Sequence, residues 1–337
     1  MRDRVVDPSA VSKLTMLISA SWVPRVIQVA AALRVGEILA DGPLAIGEIA
    51  RRCSSDPEAL ARLLRVLAAQ EIVEEINEHV FGPTVLSDHL HYIDHPGSGE
   101  ESSSTWSGLL DAVQSGRPAW EVVHGSGFFE RVARDPEQER NWNDWNTITA
   151  RAWLPSIIEG LELEGHETLV DIGGGQGNFL AEILPRFPQC RGVLLDLPSV
   201  VAGANEVFTR RGIAERCQVV PADAFERVPS DADVYLFCRV LFNWDRARRL
   251  VLLRTCRAAT RSDSRLLIVE MVMPERGDPA RKLRVAFDLN LWVSWGGTIP
   301  TRAEWDALLH EAGFEIRRVS EPASPVLPWQ VIEAVPT

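Results

Sequence analysis

Apolar positions recur at helical spacing from about Val11 to Leu39, and Pro24 stands where a second helix opens after Ser21-Trp22. Val26, Ile27, Val29, Ala30, Leu33, Val35 and Ile38 leave little polar face, so the pattern predicts a helical segment covered by the rest of the chain or by a second subunit. Ile46 to Arg52, a break at Cys53-Ser54-Ser55, and a second helix carrying Leu60, Leu63, Leu64 and Leu67 predict a helix-turn-helix, with Asp56 as N-cap and Pro57 as first residue. Two short alternating runs, Glu71 to Glu75 and His79 to Phe81, are separated by Ile76-Asn77-Glu78 and predict a β-wing. Further on, apolar runs too short for helices end at Asp171 and Asp196, and another spans Cys217 to Phe225. More strands are predicted at Ala232 to Phe237, Arg265 to Val272, Phe314 to Val319 and Gln330 to Val335. Helical segments lie between them, notably Arg246 to Thr260 and Thr301 to Ala312, where Thr301 and Glu304 form a capping box. Strands alternating with helices predict an α/β fold with a mostly parallel, doubly wound sheet.

At 337 residues and 46% hydrophobic, the chain can bury a full core and is expected to divide in two. The winged helix raises the possibility of a DNA-binding regulator. A formal charge of −12 argues against a polyanion as main partner, and the second helix of the motif offers only Arg62 and Arg65, with Glu58 beside them and no Asn, Gln or Lys before Gln70. A domain that pairs subunits is the better reading. Five cysteines with no C-x-x-C spacing and mostly apolar neighbours read as reduced core residues. Arg2, Asp3, Arg4 and Asp7 precede a segment cut by Arg25 and Arg34, which fits neither a signal peptide nor a spanning helix, so a cytoplasmic location is expected. Asp88 to His95 holds three histidines and two acids; before Pro96-Gly97-Ser98-Gly99 it reads as an exposed connector and not a metal site.

The stretch Leu169-Val170-Asp171-Ile172-Gly173-Gly174-Gly175-Gln176-Gly177-Asn178-Phe179 reads as strand, tight turn and helix start, where glycines let a ligand approach the backbone. A dinucleotide fingerprint with Gly173 and Gly175 in its first two places needs a third glycine at 178, which is Asn. Asp196 ends the next strand and can accept both hydroxyls of a ribose. Asp223 with Phe225 suits an adenine held by one hydrogen bond and one ring face. A single nucleoside is the expected ligand. From Ser102 to Gly160 the chain is rich in aromatics, with Trp106, Trp120, Trp142, Trp145, Trp153, Phe128 and Phe129. Most are expected to pack, and some, Trp145 among them, to line a flat aromatic-substrate pocket.

These motifs, together with Leu195-Asp196-Leu197-Pro198, Asp223-Ala224-Phe225, Val240-Leu241-Phe242-Asn243-Trp244-Asp245 and Gly296-Gly297 followed by Thr301-x-x-Glu304-Trp305, resemble in order those of the S-adenosylmethionine-dependent small-molecule O-methyltransferases. The resemblance covers nearly the whole chain. It implies a Rossmann-like catalytic domain of class I methyltransferase type at 161–337, a helical connector lining the substrate pocket at 101–160, and a helical and winged-helix dimerisation domain at 1–100. It also implies S-adenosylmethionine as cofactor with S-adenosylhomocysteine as product, an aromatic or polyketide-like substrate, a homodimer, and neither nucleic acid nor membrane as partner. Asp171, Gly173, Gly175, Asp196, Asp223, Ala224 and Phe225 are the implied cofactor residues. Cys238 stands where many members have Lys, with Arg239 as its replacement. Asn290, Ser294 and Trp295 join Trp145 as substrate-facing positions, with Trp292 in the core.

Members that use base catalysis carry His where this chain has Phe242, oriented by two acids corresponding to Glu270 and Ile299. Only Glu270 is present, and phenylalanine takes no proton, so deprotonation by position 242 is excluded. In this respect, and in a Ser-Pro-x-x-Pro ending at Ser324 to Pro328, the chain resembles the anthracycline branch, carminomycin O-methyltransferase and aclacinomycin hydroxylase. Two readings follow. One is a methyltransferase working by proximity and orientation, with Asn243 and Glu270 as candidate catalytic residues. The other is a non-methylating hydroxylase, decarboxylase or cyclase on the same scaffold. Asn243 either steers the nucleophile or caps the helix that follows, and Glu270 either binds a substrate hydroxyl or satisfies backbone donors.

Overall fold

The structure, a computed structural model, describes residues 7–93, 100–322 and 328–337. The chain divides into two compact units, Met1–Ser103 and Ser104–Thr337.

In the first unit, α1 (Pro8–Ser19), α2 (Trp22–Ala32) and α3 (Val35–Leu39) are followed by β1 (Leu44–Ala45), α4 (Ile46–Arg52), α5 (Pro57–Ala69), β2 (Val73–Asn77) and β3 (Val80–Pro83). The Asp56 side chain accepts from the Ala59 N–H at 2.8 Å and Pro57 opens α5, as the sequence predicts. The strands form a small antiparallel sheet in the order β1-β3-β2. The wing turn lies at Glu78-His79, later than expected, because strand pairing continues through Asn77.

The apolar run from Val26 to Ile38 is covered from within. Ala30, Val35 and Leu39 join Ile49, Leu60, Leu64, Leu67 and Phe81 in one core, with Val26, Ile27, Leu33 and Ile38 packed on it. The bare apolar face is one helix earlier, at Leu14, Met16, Leu17, Ile18 and Trp22, all more than half exposed. Pro8–Ala32 is long and apolar enough by composition to cross a membrane. The helix breaks at Ala20-Ser21, however, and α1 and α2 are each only about 18 Å long, against a hydrocarbon core of about 30 Å. Arg65, one of the two cations on α5, is paired with Glu75 at 3.1 Å. The histidine-bearing stretch is a 3-10 helix over Ser87–Ile93 with Leu90 buried, not an open connector; residues 94–99 lie outside the described residues.

Helix α6 (Glu100–Ser107) runs across the division. The second unit continues with α7 (Leu109–Ser115), α8 (Ala119–His124), α9 (Phe128–Arg134) and the long α10 (Pro136–Glu159). An alternation follows: β4 (Thr168–Ile172), α11 (Asn178–Ile183), β5 (Arg191–Asp196), α12 (Ala204–Arg210), β6 (Cys217–Pro221), β7 (Val234–Cys238), α13 (Arg246–Ala259) and β8 (Arg265–Glu270). The chain ends with α14 (Arg281–Trp295), α15 (Arg302–Glu311), β9 (Phe314–Val319) and β10 (Gln330–Pro336). Glu304 and Thr301 complete the predicted capping box of α15, the Thr301 N–H donating to Glu304 at 2.7 Å.

The seven strands lie in the order β6-β5-β4-β7-β8-β10-β9, parallel from β6 to β8, with β10 antiparallel to both its neighbours. Val170, Ile172, Tyr235, Phe237, Leu266 and Ile268 face one core, and Leu169, Val234, Leu236, Leu267 and Val269 the other. Burial on both faces explains why these strands read as continuous apolar runs. Strand order reverses between β4 and β7, so the chain leaves the sheet in opposite directions there and opens a crevice at the carboxyl ends of those strands.

Candidate active site

Four acids sit at or just past the carboxyl ends of β4, β5, β6 and β8: Asp171, Asp196, Asp223 and Glu270. The glycine turn follows β4. Gly173 has φ +70° and Gly175 φ +63°, conformations that side chains rarely adopt, and a Cβ on Gly175 would meet nothing within 4 Å. The turn therefore has open space in front of it. Asp196 holds the turn from β5, one oxygen accepting from the Gly175 N–H at 2.8 Å and the other from the Leu197 N–H at 2.7 Å. Burial pushes its carboxyl up to about 6 despite these donors, and the nearby Glu139 and Asp223 add to the shift.

Asp171 is fully buried directly under Gly174, and neither of its oxygens has a partner among the described residues. Burial, with Asp196 nearby, raises it to about 7. Its place is beneath the turn. Asp223 accepts from the Phe225 N–H at 2.8 Å, which fixes the Asp223-Ala224-Phe225 corner. The Phe225 ring stands edge-on to Trp244 at 5.1 Å, with the Arg248 guanidinium 5.6 Å from its centroid. Acids crowding a glycine turn would repel a pyrophosphate, whereas ribose hydroxyls and a cationic group suit them. The donor set thus fits a positively charged nucleoside.

Across the switch point, Cys238 ends β7 and its side chain packs on the core; burial raises the thiol well above its usual range. Arg239 follows with φ +59°. Its guanidinium carbon lies 5.4 Å from the Trp153 centroid and 5.0 Å from that of Trp329. Phe242 is buried and its ring lies 5.8 Å from Trp329. Glu270 is fully buried, and one oxygen accepts from the N–H groups of Leu241 at 2.8 Å and Phe242 at 3.2 Å. Its other oxygen has no partner among the described residues, and burial raises the group to about 8. Asn243 does not cap the following helix: Asp245 does, accepting from the Arg248 N–H at 2.8 Å. The Asn243 amide instead donates to the Arg239 carbonyl at 3.2 Å, leaving its own oxygen buried without a partner among the described residues.

Trp295 at the end of α14 packs within 5.7 Å of Phe128 and Trp142, and its ring N–H finds no acceptor among the described residues. Asn290 and Ser294 lie one helical turn apart on α14 and, like Trp145 on α10, are half-buried. Trp292 packs with Val293 and Ala119, as expected of a core residue. Residues 324–327 of the proline-bounded ending lie outside the described residues.

Three residues of this site are not apparent in the motifs. Trp329, just ahead of β10, faces Arg239 and Phe242. Arg249 is buried on α13, where its Nε donates to the Leu241 carbonyl at 2.7 Å and an Nη to the Thr298 carbonyl at 2.5 Å. Asp288 accepts from the Ile299 N–H at 2.6 Å. Glu270, Arg249 and Asp288 thereby hold the 241–243 turn and the 298–299 segment. Helical phase carries a signal for Arg249, which shares its stripe with the buried Leu252, Leu253 and Cys256.

Comparison with known proteins agrees with this geometry. Residues 106–315 match the O-methyltransferase domain family and residues 15–91 the O-methyltransferase dimerisation domain family. The phenazine O-methyltransferase PhzM of Lysobacter antibioticus is 32% identical over 333 residues, 96% of each chain. The aclacinomycin 10-hydroxylase RdmB of Streptomyces purpurascens is 29% identical, covering 91% of this chain and 85% of that one. The structure of the mitomycin 7-O-methyltransferase MmcR superposes with a TM-score of 0.87 at 29% identity over 98% of both chains. The O-methyltransferase NcsB1 from neocarzinostatin biosynthesis, in complex with S-adenosylmethionine and 2-hydroxy-5-methyl naphthoic acid, gives 0.77 at 26% identity over 93% of this chain and 96% of that one. With both of its domains matched and a relative 32% identical over nearly its full length, the chain belongs to the O-methyltransferase family and is an S-adenosylmethionine-dependent methyltransferase.

Proposed function

We propose that this chain binds S-adenosylmethionine at the carboxyl ends of β4, β5 and β6 and methylates an aromatic, polyketide-like acceptor of secondary metabolism without a protein base. The observation that carries this reading is the pairing of an acid-ringed glycine turn with an apolar wall, Phe242 against Trp329, at the next strand end. When bound, the cofactor supplies a methyl group on a sulfonium. Asp196 would receive the ribose hydroxyls, the Asp223-Ala224-Phe225 corner the adenine, and Gly173 and Gly175 the close approach of the methionine portion. Phe242 excludes water and takes no proton, so the acceptor must bring a nucleophile already ionised or intrinsically reactive. Holding that nucleophile in line with the methyl can supply about 7 to 11 kcal/mol.

In this reading residues 1–100 pair two copies of the chain through the bare face of α1, residues 101–160 line the acceptor, and residues 161–337 hold the cofactor. The enzyme acts in the cytoplasm, in keeping with five unpaired thiols. A second reading draws on RdmB, a relative named as a hydroxylase, and on Phe242: the same pocket serves a reaction that does not consume the cofactor. A single-turnover incubation with methyl-labelled S-adenosylmethionine and a panel of polyketide phenols separates the two. Label in the product upholds transfer, whereas altered acceptor with intact cofactor refutes it.

A further inference from the structure

Arg239 is stacked against two indoles. Trp153 and Trp329 lie 5.4 Å apart, and the guanidinium carbon sits 5.4 and 5.0 Å from their centroids, so it caps the pair at the apex of a near-equilateral triangle. Two ring faces fix the plane of the guanidinium by cation–π attraction. Its hydrogen bonding is nearly all unused. One Nη reaches Thr149 Oγ1 at 3.4 Å, and Nε, although buried, has no partner among the described residues. No carboxylate among the described residues comes within 4.0 Å of it. Glu270 is a carboxyl whose charge acts on it, and burial raises that group to about 8, so it compensates the guanidinium little near pH 7.

A half-buried guanidinium is stable when paired, and the edge left unpaired here, Nε with the second Nη, is the one that receives a carboxylate in two parallel hydrogen bonds. Its position says which carboxylate. The acids around the glycine turn lie on β4, β5 and β6, on one side of β7, whereas Trp329 precedes β10 on the other side. Arg239 thus spans from Thr149 and Trp153 on α10 to Trp329, whose ring lies beside Phe242 at the apolar wall. Resting on the methyltransferase reading above, we propose that Arg239, stacked on Trp153 and Trp329, is a specificity-determining receptor for a carboxylate carried by the flat aromatic acceptor. This reassigns Arg239 from the cofactor, where the family resemblance places it, to the acceptor.

The test uses the full-length protein with S-adenosylhomocysteine bound and two probes, a hydroxynaphthoic acid with adjacent carboxyl and hydroxyl groups, and its methyl ester. Binding is followed by quenching of tryptophan fluorescence. The native protein should bind the acid roughly ten- to a hundredfold more tightly than the ester, the range for a hydrogen-bonded charge. Arg239→Met should abolish that preference while ester and S-adenosylhomocysteine affinities stay within about twofold, and Arg239→Lys should keep part of it. Equal affinities in the native protein, or no binding of the acid, overturn the proposal. So does an Arg239→Met variant that loses S-adenosylhomocysteine but keeps the acid preference, since the guanidinium would then serve the cofactor's carboxylate. If Arg239→Met does not fold, Arg239→Lys decides: a ratio lowered about threefold or more upholds the proposal, and an unchanged ratio overturns it. Native protein that binds no S-adenosylhomocysteine refutes the cofactor reading separately, because the acid-to-ester ratio is also measured without it.

Discussion

Replacing Arg249 by methionine removes the clamp between the 241–243 turn and the 298–299 segment while leaving a side chain of similar reach. Arg249 is 2% exposed, and it donates to the Leu241 carbonyl at 2.7 Å, the Thr298 carbonyl at 2.5 Å and the Thr298 hydroxyl at 3.0 Å. Each bond from a charged donor contributes about 1.5 to 3 kcal/mol, so the two carbonyl bonds together contribute about 3 to 6 kcal/mol. Two effects reduce that figure. The Leu241 carbonyl keeps the Trp244 N–H as a partner at 3.1 Å, and removing a buried guanidinium recovers several kcal/mol of desolvation. The expected net loss is about 1 to 3 kcal/mol, read as a lower urea midpoint at unchanged slope. Catalysis should fall further than stability, on the order of a hundredfold in kcat, because a misplacement of about 1 Å at the 242 wall spoils the in-line geometry. Affinity for S-adenosylhomocysteine should hold, since the glycine turn and Asp196 are on other strands. A variant that loses the predicted stability yet keeps kcat within about threefold would refute the clamp as a positioning device.

Asp196→Ala should weaken S-adenosylhomocysteine binding by about 1.5 to 3 kcal/mol in calorimetry; an unchanged affinity would remove Asp196 from the ribose site. Burial pushes Glu270 up to about 8 from an ordinary 4.5. A raised folded pKa contributes stability below about pH 4.5 that is lost as pH rises through 8, a change of about 3 to 5 kcal/mol. Glu270→Gln should therefore flatten the decline in melting temperature between pH 5 and about pH 8.5, and an equally steep decline would disprove the assignment. On α1, Leu17→Glu with Ile18→Lys should convert a dimer to monomers in light scattering; a native monomer at micromolar concentration would sink the pairing role of that face. Phe242→His should leave the rate unchanged for acidic phenols and raise it only for less acidic acceptors, visible as a new ionisation in the pH–rate profile.

The β-strands, the helix-turn-helix and the caps were legible because each depends on a few neighbouring residues. Asp56-Pro57 and Thr301-x-x-Glu304 name their own helix starts, and the acids at strand ends could be placed by counting. What was not legible depends on residues far apart in sequence. Which apolar helix face stays bare is decided by packing, so the sequence left open whether Val26 to Ile38 is covered by the chain or by a second subunit, and the structure covers it from within while α1 carries the bare face. Asn243 is a good capping residue beside a better one, and only the geometry shows that Asp245 takes the cap. Arg239 meets Trp153 across 86 positions and Trp329 across 90, a constellation that no local motif encodes.

Phe242 and Glu270 fit together physically. An ionised Glu270 would be a bare buried charge, and burial is expensive unless the group is protonated or hydrogen-bonded. Glu270 has taken both routes: it is raised to about 8, and one oxygen accepts two backbone N–H groups of the turn that carries Phe242. The acid thus anchors the turn that carries the Phe242 wall. Around that wall Arg239 and Arg249 both carry positive charge, while burial raises Glu270 to about 8. A low-dielectric, net positive surrounding lowers the pKa of a phenol entering it, so an acceptor can ionise without a protein base. A low dielectric also favours transfer of a methyl from a cationic sulfonium to an anionic oxygen, since the O–C bond forms as the C–S bond breaks and both charges vanish in the ether and thioether. On the reading proposed above, an apolar wall beside cationic side chains suits acceptors that arrive acidic, and acceptors that need a proton taken from them should react slowly.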